Sequence, residues 1–209
     1  MFISLLFKDP RTFATILLLV IFSVCSHEFM HAWIALKMGD STAADRGYLT
    51  MNPFRHMGIF SLVMLIFLGV TWGQVPVNPS NLPTRKKRIA VALAGVSTNA
   101  ALAIIFTFLG FLVISLSPEN IFAARMLLYG AILNIVLLVI NLLPVPGFDG
   151  YRVLIEFLKF NNRKSRESAN IIFFVIMLTL FFFIDKIFAA AETLIGFMLR
   201  LLISIRGSL

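Results

Sequence analysis

The chain has 209 residues, 59% of them hydrophobic and 13% charged, with a formal net charge of +8 at pH 7 and a mean hydropathy of +0.94. Soluble domains carry about a quarter charged residues, so this composition excludes an ordinary soluble fold, and several apolar runs reach or approach the ~20 residues that cross a bilayer. The basic residues cluster in short loops between those runs, which reads as cytoplasmic anchoring and not as a nucleic-acid footprint.

The expected fold class is therefore an all-α polytopic membrane protein, with about five transmembrane helices and one re-entrant or strand-like membrane-embedded segment. One domain is expected over residues 1–209, with a core at 12–152 and accessory C-terminal helices at 168–206. A single cysteine, Cys25, rules out an intrachain disulfide. Val24 before it is not the small residue of a lipoprotein signal, so the first apolar run reads as a retained helix.

In chain order, residues 2–7 form a short apolar lead-in. Asp9-Pro10 opens a long helix over 12–38 that stops at Gly39. The text then turns polar, and GYLTMNP has strand character up to Pro53. Residues 58–73 are apolar but short for a span. A proline-rich loop, VPVNPSNLP, leads to Arg85, Lys86, Lys87 and Arg88, which open a helix to about 115. A third helix at 122–143 ends at Pro144 and Pro146. Residues 151–167 are amphipathic and basic, 171–184 are rich in phenylalanine, and 187–205 form a last span or an interfacial helix.

Late in the first apolar run stands HEFMH, residues 27–31. On a helix His27 and His31 share a face one turn apart and can converge on one metal ion. Glu28 lies about 100° round the helix, close enough to take a proton from water at that metal. Polar groups at this depth need a partner, and a hydrated zinc ion supplies one. A histidine pair at a headgroup interface is the alternative, but the motif lies well inside the helix.

A catalytic zinc site wants a third protein ligand and an open position. Asp149 is the candidate. It follows an apolar helix and a Pro-Val-Pro break in NLLPVPGFDG, and irregular backbone at membrane depth is tolerated where it lines a cavity. An ordinary helix-capping aspartate is the alternative, and His56 in the polar loop is a second candidate ligand. Topology bears on the choice. If 58–73 spans, His27 and Asp149 lie at opposite faces; if it is re-entrant, both lie at one depth, nearer the cytoplasm, with the N-terminus outside. Charge bias barely separates the two.

HEFMH in a first membrane helix, NLLPVPGFDG after a later one, and the stretches KMGDSTAADRGYLTMNPFRHMG, WGQVPVNP and AGVSTN together resemble the site-2 protease family of intramembrane zinc metalloproteases. The resemblance covers about residues 20–152. It implies zinc, one ion per chain, held by His27, His31 and Asp149, with Glu28 as the catalytic base. It also implies a transmembrane protein substrate cut in or near the membrane. The sequence departs from the family pattern at Val96, Gly147 and Phe148 and at Met57-Gly58. No PDZ or CBS domain stands in these residues, so the likeness is to a core-only member. Asn99 and Asn141 are the candidate substrate-binding residues, lining the site to hold an unwound backbone or an oxyanion. Interhelical hydrogen bonding is the alternative for both and the expectation for Asn134.

The expected setting is the cell membrane, with the lipid bilayer and a transmembrane substrate as partners and no nucleic acid. A non-proteolytic adaptor of the same fold is the alternative function. A metal transporter is disfavoured because the metal-binding residue types gather at one depth and not along a path across the bilayer.

Overall fold

The computed structural model describes residues 2–158 and 165–207. Within them the regular structure is helical: α1 (Ser4–Lys8), α2 (Pro10–Met38), α3 (Thr42–Asp45), α4 (Pro53–His56), α5 (Gly58–Leu68), α6 (Arg85–Leu116), α7 (Ile121–Leu142), α8 (Asp149–Leu158) and α9 (Ser165–Gly207). Among the described residues four stretches are long and apolar enough to cross a membrane: α2, α6, α7 and the 25 residues Phe182–Arg206 of α9. A helix suits that setting because it satisfies every backbone polar group within its own segment.

The helix limits follow from local chemistry. Asp9 accepts from Thr12 N at 3.0 Å and Pro10 occupies the first turn of α2. Gly39, at φ 107°, closes α2 in the left-handed conformation and returns its N–H to Ala35 and Leu36. Thr84 and Asn120 cap the N-termini of α6 and α7 as Asp9 does for α2, their side chains accepting from Lys87 N and Ala123 N. Pro144 ends α7 by driving Leu143 into extended backbone.

Two features differ from the sequence expectation. The GYLTMNP stretch forms no strand, and among the described residues there is none; Asn52 instead caps the one-turn helix α4 through Phe54 N. The phenylalanine-rich stretch at 171–184 and the last span or interfacial helix expected at 187–205 lie in one continuous helix of 43 residues, and among the described residues four stretches are candidate spans where about five were expected. Asp185-Lys186 carries no proline or glycine, so nothing there breaks the helix. The junction at 159–164, inside the stretch expected to be amphipathic, lies outside the described residues.

The segment at 58–73 is re-entrant. Helix α5 has 11 residues, about 16 Å of rise, roughly half the ~30 Å hydrocarbon core. Gly69, at φ 75°, turns the chain back. The return leg runs beside α5: Ser61 Oγ donates to Trp72 O at 2.8 Å and accepts from Trp72 N at 3.0 Å. Gln74 N then donates to His56 O at 2.9 Å, so the two ends of the loop meet. On its other side α5 packs on the first half of α2, where Leu65 is buried with Ile16, Val20 and Val24.

That return fixes the helix directions. Because α5 does not cross, α6 starts on the side where α2 ends, and α2 and α7 run parallel with α6 antiparallel between them. Small residues allow close approach: Gly130 of α7 faces Leu19 and Phe106, and Gly110 of α6 faces Leu128.

Asp40 ties the return leg to the end of α2. Fully buried, it accepts from Asn78 N at 2.7 Å, from Asn81 Nδ2 at 2.8 Å and from the N–H and hydroxyl of Thr42. Burial opposes its ionisation, but the hydrogen bonds from Thr42, Asn81 and Asn78 outweigh burial and hold the carboxyl below its usual range. A depressed folded pKa gives stability that is present above the unfolded value of about 3.9 and lost as pH falls through the lower folded value. We expect Asp40→Ala to cost on the order of 2–4 kcal/mol at neutral pH, because it removes the buried charged acceptor that four hydrogen bonds share. The difference in melting temperature from wild type, read in detergent, should shrink as pH falls below about 4.

Candidate active site

His27 and His31 lie on one face of α2, buried where it packs against α6 and the start of α8. His31 Nδ1–H donates to Val91 O at 2.7 Å. A carbonyl only accepts, so the proton sits on Nδ1 and the neutral ring leaves a lone pair on Nε2. His27 Nδ1 faces Asn99 Oδ1 at 2.6 Å. That oxygen is assigned because the Asn99 amide nitrogen donates to Asn134 Oδ1 at 2.9 Å. His27 Nε2 therefore carries a lone pair as well.

Both lone pairs point at Asp149. Its Oδ2 is 3.1 Å from His27 Nε2 and 3.0 Å from His31 Nε2, and the two Nε2 atoms are 3.0 Å apart. Three acceptors this close repel one another unless a cation lies between them. A tetrahedral ion with bonds of about 2.0–2.1 Å sets its ligand atoms about 3.3 Å apart, so the two nitrogens and the oxygen fit zinc. Among the described residues, His27, His31 and Asp149 are the group of His, Cys and acidic side chains placed to hold a metal ion.

Local backbone delivers Asp149. After α7 stops, residues 143–148 run irregularly with Gly147 at φ 100°. Asp149 then starts α8 with its side chain turned inward and buried. Gly150 makes this possible: a Cβ there would lie 2.5 Å from the Leu142 carbonyl carbon.

A cavity of about 410 Å³ opens onto the cluster. Glu28 lines it beside His27, His31 and Asp149, and so do Asn141 and residues 71–74 of the return leg. Glu28 rests on Gly73, where a Cβ would come within 2.5–2.8 Å of its side chain. Asn141 is half-buried on the cavity lining, and its Nδ2 donates to Leu137 O at 3.0 Å.

Asn99 does not lie on the cavity surface. It is fully buried behind His27 as the first link of a polar chain. Asn134 receives its amide and donates in turn to Ser23 Oγ and Gly130 O, each at 2.9 Å. The chain joins α2, α6 and α7. Asn99 thus orients a candidate ligand from behind, the outer-shell support that ligating histidines generally have. His56 lies outside the cluster; it is fully buried and its Nε2–H donates to Thr50 O at 2.6 Å. Cys25 is buried in the apolar core, away from the site.

Sequence reasoning missed two glycines. A Cβ on Gly95 would collide with both imidazoles, at 2.5 Å from His31 Nε2. Gly73 does the same service for Glu28. The signal was present for Gly95: a glycine in the interior of a helix is costly and marks a close approach.

The match to known proteins agrees with this geometry. The model of Peptidase family M50 matches residues 15–124 and 115–183. The chain belongs to this family, the site-2 proteases. It is 34% identical over 171 residues to "Putative zinc metalloprotease YwhC" of Bacillus subtilis, covering 78% of this chain and 77% of the relative. It is 33% identical over 184 residues to "Putative zinc metalloprotease Rip2" of Mycobacterium tuberculosis, covering 83% and 70%. A Methanocaldococcus jannaschii relative, "Putative zinc metalloprotease MJ0611", is 27% identical over 159 residues, covering 73% and 77%. No solved structure matches. This M50 chain is a membrane-spanning zinc metalloprotease of the site-2 type.

Two substitutions probe how the cluster is held. Asn99→Leu should weaken zinc binding by roughly 10- to 100-fold, read by competition with a chromophoric chelator. Gly95→Ala should abolish it, with helical circular dichroism retained in both.

Proposed function

We propose that this M50 protease hydrolyses peptide bonds in or near transmembrane segments of other membrane proteins, using one zinc ion per chain. The observation that supports the reading best is the convergence of three lone-pair atoms, 3.0–3.1 Å apart, on the wall of a cavity that Glu28 also lines.

In this reading His27, His31 and Asp149 are the metal ligands. Zinc held there supplies Lewis-acid polarisation of a water molecule and of the scissile carbonyl. Glu28 takes a proton from the attacking water and passes it to the leaving amine. Gly73 leaves room for that carboxylate to stand beside the reacting atoms. Asn141 holds the unwound substrate backbone across the cavity from Glu28.

A transmembrane helix must be unwound before its peptide bonds can be cut, and the return leg suits that task. Trp72 and Gln74 turn their backbone groups toward α5 and α4. By alternation along an extended chain, Thr71, Gly73 and Val75 turn theirs the other way, where a substrate strand can add by backbone pairing.

The proposed architecture is a single protease domain, with its catalytic core at 12–152 and accessory helix beyond. Its setting is the cell membrane, with the site nearer the cytoplasmic face. Lys37 and Arg85, Lys86, Lys87 and Arg88 stand at the end of the bundle where the site lies, and positive charge favours the cytoplasmic side.

Glu28→Gln tests the central role. It should lower cleavage of a transmembrane reporter by roughly 1,000-fold or more while the purified protein keeps its zinc. Cleavage near the wild-type rate would remove Glu28 from the chemistry, and the adaptor reading would return if wild type itself cut nothing.

A further inference from the structure

The return leg passes two cavities in succession. Residues 71–74 line the one that holds the metal cluster. Val75, Val77 and Pro79 line a second, also of about 410 Å³, together with Leu82, Val91 and Ile155. Arg152 borders both. The second cavity lies toward the aqueous end of the bundle. Val77 packs there with Ala35 and Leu82 near the end of α2, and the next residue, Asn78, is tied to Asp40. A chain leaving the metal cluster along the return leg toward water must enter it.

The charges of this cavity differ in how they are engaged. Arg88 Nε donates to Glu156 Oε1 and its Nη1 to Leu82 O, both at 2.7 Å, so that pair cancels. Arg85 stacks on Phe157, 3.8 Å from the ring centroid. The Arg152 side chain is 49% exposed, and its ion pair to Asp149 Oδ1 is long at 3.9 Å. Its guanidinium has donors to spare at the threshold between the cavities.

We infer that the second cavity binds the water-side flank of the substrate's transmembrane segment, an apolar side chain entering between Val77 and Ile155 and an adjacent acidic side chain pairing with Arg152. The inference rests on the protease reading above and adds a substrate class to it. Membrane proteins ordinarily carry basic residues on the cytoplasmic flank of a span. Arg152, with Arg85, Lys86 and Lys87 at the start of α6 just before the cavity-lining Arg88, repels such flanks. An acidic flank therefore separates substrates from the bulk of membrane helices by repulsion of the wrong partner as well as attraction of the right one.

The test uses fluorescent transmembrane peptides whose flank reads Leu-Asp, Leu-Lys or Gly-Asp. Binding to zinc-loaded, full-length Glu28→Gln protein in nanodiscs is read by anisotropy, and cleavage by wild type is read in parallel. Leu-Asp should bind about tenfold more tightly than Leu-Lys. Arg152→Gln should erase that ratio and Arg152→Glu should invert it. Ile155→Trp, on an exposed position of α8, should erase the preference for Leu-Asp over Gly-Asp. Zinc content is measured on each variant because Arg152 neighbours Asp149. If the Arg152 variants lose zinc, Ile155→Trp decides alone, and an unchanged Leu over Gly preference overturns the inference. Equal binding of Leu-Asp and Leu-Lys by Glu28→Gln protein, or a ratio unmoved in zinc-loaded Arg152→Gln, also overturns it. Failure of the protease reading looks different: flank-dependent binding persists while wild type cuts no peptide.

Discussion

Two imidazole lone pairs and a carboxylate oxygen, 3.0–3.1 Å apart inside a membrane protein, are the constraint from which most of this structure follows. The arrangement is unfavourable until a cation occupies its centre, and it requires each donor to be held from behind. Val91 O fixes the tautomer of His31, and Asn99 fixes that of His27. Asn99 is itself held by Asn134, and Asn134 by Ser23 and Gly130. A fully connected polar chain of this kind is tolerated in an apolar bundle because no member is left unpaired. Gly95 is absent of side chain because the imidazoles occupy the space.

Bringing Asp149 to the histidines is a problem of parity. A carboxylate at the end of α7 meets residues late in α2 only if the two helices run in the same direction. The short helix α5 and its return leg meet that condition by leaving the bundle on the side they entered, with Gln74 bonded back to His56. Asp40 then fastens the return leg to the end of α2. The same leg forms a wall of the metal cavity and of the second cavity. One loop thus sets helix direction, encloses the site and borders the path by which a substrate would reach water.

Much of the site was legible in the sequence because its signals are local. His27 and His31 are one helical turn apart, and that spacing survives any tertiary arrangement. Asp149 was legible from the proline break before it, combined with the requirement for a third ligand at the same depth. The course of 58–73 was legible only through the metal: charge bias barely separated the two topologies, and an ion shared by His27 and Asp149 required the one in which that segment does not cross. What was not legible depends on contacts distant in sequence. Asn99 looked like a group lining the cavity, but whether an intramembrane asparagine faces a cavity or a neighbouring histidine is decided by how α6 rotates against α2. Gly73 was hidden among loop residues, where glycine has many uses. The strand expected in GYLTMNP gave way to capping by Asn52, and the break expected near Asp185 did not form because charge alone does not end a helix.

The account stands on one ion held jointly by α2 and the start of α8, so the most direct measurement is the zinc content of detergent-purified wild type beside His27→Ala and Asp149→Ala. About one zinc per chain in wild type, absent from both folded variants, is the predicted result. Zinc retained by Asp149→Ala, or none in well-folded wild type, would contradict a metal centre built from these two elements.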